Sequence, residues 1–384
     1  MLLAKGHEAL KRELDAEIGY LKSRNGLEAT GQTYYRLDEG GGLDEEDALS
    51  RYKGKIQAEL GWNFFQSSLY KREGKIKELT LLNQIKRIDF ERKHVTNLIY
   101  RQKEAFRLKH DSLLAGVLSH RIRNLSLLQE ANEYLLRTEN ISSDELLDIL
   151  NEKAEAERMM AAIPGVYPQA SDLSSPRGVV ISIDTAAFIS EVRRSQAALS
   201  TLDLQRALLE QKERNMDYLQ NTTLSPFVRY SYYMRPTVPN SSNIDVGVRF
   251  RLPLTGEVRR QKRVYRARKS VLEAERGNLL TRIMEDIRQT LLEIDRMNRA
   301  TVGELRRLKE LKNYLFYRKT AYDNRIGEYS LLARTKEYNI YLSCWEKLLD
   351  YQYRRDCLIA DLQGYLTGTS ITDYCRETEY LSEL

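Results

Sequence analysis

The sequence predicts a mainly α-helical fold with a small β part, in which a helix, a strand pair, a long helix, a turn and a return helix follow one another twice. Three observations carry this reading. The residues from His120 (HRIRNLSLLQEANEYL) return from Asn324 as NRIGEYSLLARTKEYN, so the chain reads as an internal duplication whose shared pattern R-I-x-x-[LY]-S-L-L marks one structural point twice. Strand-like segments precede each copy, Leu27 to Phe65 and Phe227 to Leu254. The composition, 30% charged and 42% hydrophobic with only 7 Pro in 384 residues, suits long helices packed through narrow apolar seams.

The helices read most plainly in the second half. From Val258 to Arg325 there is no Pro, and apolar residues recur three and four apart, as Val264, Ala267, Val271 and Ala274, then Ile283, Ile287, Leu291 and Ile294. At 1.5 Å per residue this segment spans roughly 100 Å. So narrow a stripe on a charged surface must be buried against neighbouring helices as a coiled coil. A return helix, Tyr329 to Leu366, carries Leu332, Leu342, Trp345, Leu348, Leu349, Tyr353, Leu358 and Leu362 on a broad face.

The strand pairs alternate with a period of two. In Asn243 to Leu254, Ile244, Val246, Val248, Phe250, Leu252 and Leu254 form one face and Asp245, Gly247, Arg249, Arg251 and Pro253 the other. Before them Val228, Tyr230, Tyr232 and Met234 alternate with Arg229, Ser231 and Arg235. In the first half Tyr52, Ile56, Ala58, Leu60, Trp62 and Phe64 alternate with Lys53, Lys55, Gln57, Glu59 and Asn63, and an acidic glycine-rich loop runs from Glu39 to Asp47. Strands of roughly 10 residues, apolar outward and polar inward, carry the signature of outer-membrane barrels. Four strands cannot close a barrel, so several chains must share one. The boundaries that follow are a shortened first helix over 1–25, a strand pair over 26–66, a helical hairpin over 67–163 and a linker over 164–183. A helix over 184–221 leads into the second strand pair, 222–255; the second hairpin is 256–366 and a C-terminal segment 367–384 closes the chain.

Other classes find little support. The net charge of +6, with 61 bases interleaved among 55 acids, does not point to nucleic acid. Cys344, Cys357 and Cys375 fit neither a zinc motif nor a redox pair, and His7, His94, His110 and His120 are scattered. No nucleophile, phosphate loop or paired-carboxylate site is visible, so no enzyme, metal or cofactor is expected. The first residues, MLLAKGHEALKREL, form a charged helix without the apolar core of a secretory signal. The duplication favours a first helix, and a signal before it, missing from this chain.

In order and spacing, these segments resemble the TolC family of outer-membrane efflux proteins across nearly the whole chain. NTTLSPFVRYSYY from Asn221 resembles the family's passage from helix end to strand, and VGVRFRLPLTGEVRRQKRVYRA from Val246 its strand ending in Leu-Pro-Leu, a Gly and a basic helix start. NRIGEYSLL is similar to the tip turn, LIADLQGYLTG from Leu358 to the end of the last helix, and AAIPGVYPQ from Ala161 to the link between repeats. The resemblance implies a homotrimer with a twelve-stranded barrel in outer-membrane lipid, continued by a periplasmic helical tunnel. It also implies a passive export duct working with a periplasmic adaptor (membrane fusion protein) and an inner-membrane pump.

Site residues follow from this reading. The adaptor-contact tips are Arg123, Asn124, Leu125 and Ser126 in the first repeat and Gly327, Glu328, Tyr329 and Ser330 in the second. Ser126 and Ser330 also suit N-caps of the return helices. Arg229, Arg249 and Arg251 face the lumen, either as solvated side chains or as an influence on cargo charge. Trp62, Phe64, Tyr230, Tyr232, Val246, Val248 and Phe250 face lipid, with ordinary core packing as the alternative for the aromatics. Departures from the family pattern remain. From Phe65 to Arg123 is 58 positions against 74 from Pro253 to Gly327, Arg123 stands where the second tip has Gly327, and LLARTKEYN lacks early aspartates. A soluble coiled-coil scaffold is the competing reading.

Overall fold

The computed structural model of the protein describes residues 2–23, 27–35, 54–62, 69–137, 143–165, 178–216, 223–235, 239–251, 256–324 and 331–379. In chain order the elements are α1 (Leu2–Ser23), β1 (Leu27–Tyr35), β2 (Gly54–Trp62), α2 (Leu69–Arg137), α3 (Ser143–Ala162), β3 (Val179–Ile183), α4 (Thr185–Ser195) and α5 (Ala197–Arg214). There follow β4 (Thr223–Met234), β5 (Ser241–Arg251), α6 (Glu257–Asp323), α7 (Leu331–Leu362), two short 3-10 turns and β6 (Cys375–Glu379). Helix dominates and the sheet part is small, as the sequence predicts. The chain divides into two compact units, Met1–Glu91 with Ala198–Asn278, and Arg92–Ala197 with Leu279–Leu384.

The first unit holds a four-stranded antiparallel sheet in the order β1-β2-β4-β5. Leu27 lies opposite Trp62 and Thr223 opposite Arg251, so the strand ends that join helices all lie at one end of the sheet. Helices pack beside one another through polar ties. Asn83 donates from Nδ2 to the Leu10 carbonyl at 2.8 Å, and Lys86 pairs with Glu13 at 2.7 Å, fixing α1 on α2. Gly6 permits the close approach, because a Cβ there would lie 2.2 Å from Cζ of Phe90.

Three apolar clusters form the second unit. Phe188 and Val192 of α4 pack with Ile283, Ile287 and Ile294 of α6 and with Leu362 and Leu366. Val117 of α2, Leu305 and Leu308 of α6, and Leu342, Trp345 and Leu348 of α7 form the second. The third joins Leu118, Leu125 and Leu128 of α2 to Ile149 and Ala156 of α3. β3 pairs antiparallel with β6, which ties the expected linker 164–183 to the C-terminal segment. The Asn298 side chain then satisfies β3: Nδ2 donates to the Ile181 carbonyl at 2.8 Å and Oδ1 accepts from the Ile181 amide at 3.3 Å.

The first hairpin differs from its sequence reading. Arg123, Asn124, Leu125 and Ser126 do not form a turn but lie inside α2, which runs unbroken from Leu69 to Arg137. Leu125 is fully buried, Asn124 donates to the Thr335 carbonyl at 2.9 Å, and the Ser126 hydroxyl donates to the Ile122 carbonyl at 3.0 Å instead of capping a helix. With 69 residues in α2 and 67 in α6 the long arms match, and the shortfall moves to α3, 20 residues against 32 in α7. The reason is that the repeated motif is a core pattern: Ile122, Leu125 and Leu128 suit a packed helix anywhere along its length. The described helix α2 runs on to Arg137, and α3 starts at Ser143 with Asp144 and Glu145 in its first turn. Gly327, Glu328, Tyr329 and Ser330 lie outside the described residues. The single helix expected over 184–221 is also broken, because Gln196 leaves the helical region at ψ 118.

A buried polar group crosses the second unit. Arg121 of α2 donates from Nη1 to Glu346 of α7 at 2.7 Å and pairs through Nη2 with Glu152 of α3 at 3.3 Å, while Asn339 donates to Glu152 at 2.7 Å. Burial pushes the Glu346 carboxyl above the usual carboxylate range, and Arg121 offsets this only in part. The folded state therefore holds that proton more tightly than the unfolded one, so this contribution is full at low pH and is lost as pH rises through the raised value. Arg121→Ala should cost about 3–5 kcal/mol, because it strands a buried carboxyl. Denaturant unfolding followed by helical circular dichroism checks this, and Glu346→Gln should flatten the fall in stability as pH rises above the ordinary carboxylate range.

Candidate functional site

The site is the four-stranded sheet, and strand parity builds it. On one face the register aligns Leu60 with Val228 and Val246, Ala58 with Tyr230 and Ile244, and Ile56 with Tyr232. This apolar face is open: Val246 is 78% exposed, Val248 64% and Phe250 57%, with Trp62 and Tyr230 above 40%. Five of the seven residues expected on the apolar outer face therefore lie exposed there. Tyr232 shares the face but is half-buried, its hydroxyl accepting from Asn240 Nδ2 at 2.9 Å. Phe64 lies outside the described residues. Among the described residues no helix is long and apolar enough to cross a membrane.

The opposite face is polar and internally paired. Glu59 of β2 stands directly across from Arg229 of β4, which stands across from Asp245 of β5. Glu59 Oε2 accepts from Arg229 Nη2 at 2.7 Å and Nε at 3.0 Å, and Glu59 Oε1 accepts from Arg249 Nη2 at 3.0 Å. Two of the three arginines expected on this face thus converge on one carboxylate. Arg251 continues the same parity at the end of β5.

Phe227 organises that convergence. Both guanidinium groups lie over its ring, Arg229 at 4.9 Å and Arg249 at 5.3 Å from the centroid, a favourable cation–π geometry. Its row neighbours are glycines, Gly61 on β2 and Gly247 on β5. A Cβ at Gly247 would lie 2.8 Å from Cζ of Phe227, so the missing side chain is what lets the ring spread over β5. Sequence reasoning treated Glu59 only as part of an alternation and passed over Phe227. The available signal was parity: Phe227 shares the polar face of its strand with Arg229 and Ser231.

No protein-family model matches this chain, and no curated protein matches it in sequence. Solved structures match in fold. The CmeC outer membrane channel of Campylobacter jejuni superposes with a TM-score of 0.61 at 12% identity, over 96% of this chain and 84% of that one. The outer membrane protein VceC of Vibrio cholerae gives 0.58 at 14%, over 96% and 92%. The open state of the MtrE outer membrane channel of Neisseria gonorrhoeae gives 0.57 at 12%, over 96% and 85%. At these identities the likeness shows the fold: this chain has that of the outer-membrane channels.

Gly247→Val should displace the Phe227 ring and cost about 1–3 kcal/mol, as overpacking does. Gly61→Ala, whose Cβ would meet nothing closer than 4.0 Å, should be close to neutral. Thermal unfolding of both variants in detergent distinguishes these outcomes.

Proposed function

We propose that three copies of this chain form an outer-membrane exit duct of a tripartite export system. Each contributes β1, β2, β4 and β5 to one twelve-stranded barrel, with the Glu59 face lining an aqueous pore and the apolar face meeting outer-membrane lipid. The helices extend into the periplasm, and cargo passes without catalysis. The carrying observation is the sheet itself: an uncovered apolar face on one side, a charged and hydrogen-bonded face on the other, and two outer strands, β1 and β5, with no further partner among the described residues. A soluble coiled-coil scaffold would have to bury that apolar face in its own fold, and the exposure of Val246 and Val248 counts against it.

The partner of the helix ends is a periplasmic adaptor joined to an inner-membrane pump. The α6–α7 joint holds Gly327, Glu328, Tyr329 and Ser330, and the α2–α3 joint, residues 138–142, takes the part first given to Arg123, Asn124, Leu125 and Ser126. Burial of Leu125 and Asn124 within the second unit supports that reassignment.

Two experiments test the reading. Val248→Arg should reduce correctly inserted protein, since a lipid-facing charge costs about 2–4 kcal/mol near the bilayer midplane, whereas Arg249→Ser on the polar face should insert normally. Heat-modifiable gel mobility of outer-membrane fractions reads both, and equal insertion would mean that the apolar face does not meet lipid. In planar bilayers, Glu59→Ala leaves Arg229 and Arg249 without their carboxylate, so the anion-to-cation permeability ratio should rise about twofold or more. A variant with wild-type reversal potential would remove Glu59 from the pore lining.

A further inference from the structure

The helices that leave the sheet begin with an excess of positive charge. The first turns of α6, EVRRQKRVYRARK over 257–269, carry seven bases against one acid. Those of α2 repeat the bias, with four bases and one acid in LYKREGKIK over 69–77. Some of these bases serve the fold: Arg266 and Lys269 both donate to Glu213 at 2.8 Å, and Lys75 pairs with Glu78 at 3.0 Å. Arg259, Arg260, Arg263 and Arg268 are different, being exposed and without an ion pair to any described residue. Helix stability does not account for Arg259 and Arg260, because the macrodipole disfavours cations in a first turn.

Their position does account for them. The register puts the helix-joined ends of all four strands at one end of the sheet, so α2 and α6 depart from the same rim. The exposed apolar residues Val246, Val248 and Phe250 lead along β5 to that rim. Only residues 252–256 separate β5 from α6, a reach of at most about 22 Å. Arg259 to Arg268 then occupy about 14 Å of helix. An apolar surface that passes directly into a basic one matches an amphiphile with acyl chains and an anionic head. An acidic protein surface would match only the second part.

We propose that Arg259, Arg260, Arg263 and Arg268, aided by Lys77 of α2, hold anionic phospholipid headgroups of the periplasmic leaflet against the rim of the sheet. This rests on the reading of the sheet as membrane-spanning. The bases would anchor the depth of the barrel in the bilayer and concentrate anionic lipid around it, through phosphate contacts that salt weakens.

The test is electron paramagnetic resonance of the full chain reconstituted in phosphatidylcholine vesicles with trace spin-labelled phosphatidylglycerol or phosphatidylcholine. Lipid touching the protein is motionally restricted, and the restricted fractions of the two labels give the headgroup preference. The wild type should favour phosphatidylglycerol roughly threefold or more at low salt, falling towards unity at about 0.5 M salt. The quadruple variant with Arg259→Gln, Arg260→Gln, Arg263→Gln and Arg268→Gln should lose the preference, and the matching four Arg→Lys changes should keep it. Equal preference in wild type and glutamine variant overturns the proposal, as does a glutamine variant that loses its oligomer while lipid preference persists, which would assign the bases to a protein interface. The membrane reading fails separately: in that case neither spin label shows any restricted fraction, whatever its headgroup.

Discussion

A strand in hydrocarbon cannot lend its N–H and C=O groups to water, and each unpaired group costs several kcal/mol. On the proposed reading this requirement governs the chain. The β1-β2-β4-β5 ladder satisfies three internal boundaries and leaves the outer edges of β1 and β5 to be met by neighbouring copies. Once the backbone must pair in this way, side chains have only two places to go, and parity sorts them: Ile56, Leu60, Val228 and Val246 to the open apolar face, Glu59, Arg229 and Asp245 to the other. The two antiparallel hairpins then bring all helix connections to one end, which is why a single rim carries the basic turns of α2 and α6.

On the polar face the same sorting concentrates charge at one point. Glu59 receives two guanidinium groups, and the Phe227 ring carries both. Glu59 offsets one of the two positive charges, so these arginines act as a pair held on one carboxylate and not as separate cationic sites. The buried Arg121, Glu346 and Glu152 cluster follows a different rule. There burial raises the Glu346 carboxyl above the usual carboxylate range, while the Glu152 side chain is 46% exposed. A single arginine is shared between one carboxyl that water reaches and one that it does not.

The parity of the strands was legible because a period of two is binary: Val246 and Arg249 can only fall on opposite faces. The long arms were legible from absent prolines and apolar spacing. What stayed hidden depended on partners distant in sequence. Glu59 meets Arg229 only because β2 pairs with β4, and β3 pairs with β6 from the other end of the chain. The break at Gln196 carries no Gly or Pro to announce it. The first tip was misread for a more general reason. Ile122, Leu125 and Leu128 repeat a pattern that tells which face of a helix is buried and says nothing of where it stops.

That distinction bears on how helices this long hold their alignment. A seam of Leu and Ile offers nearly equivalent packing when one helix slides by a turn, so apolar spacing alone leaves register weakly fixed. Directional groups remove the degeneracy. In the second unit Asn124 reaches one carbonyl, that of Thr335, Lys103 pairs with Asp361, and Asn298 matches both backbone groups of Ile181. Arg121 must meet Glu346 and Glu152 together, which fixes α2 against α7 and α3 at the same time. A one-turn slip would leave Asn124, Asn298 and Arg121 buried without their partners, at about 1–3 kcal/mol apiece and more for the arginine, while the exposed Lys103–Asp361 pair would lose less. The apolar clusters hold the bundle together, and these few polar side chains decide which of its possible alignments is the folded one.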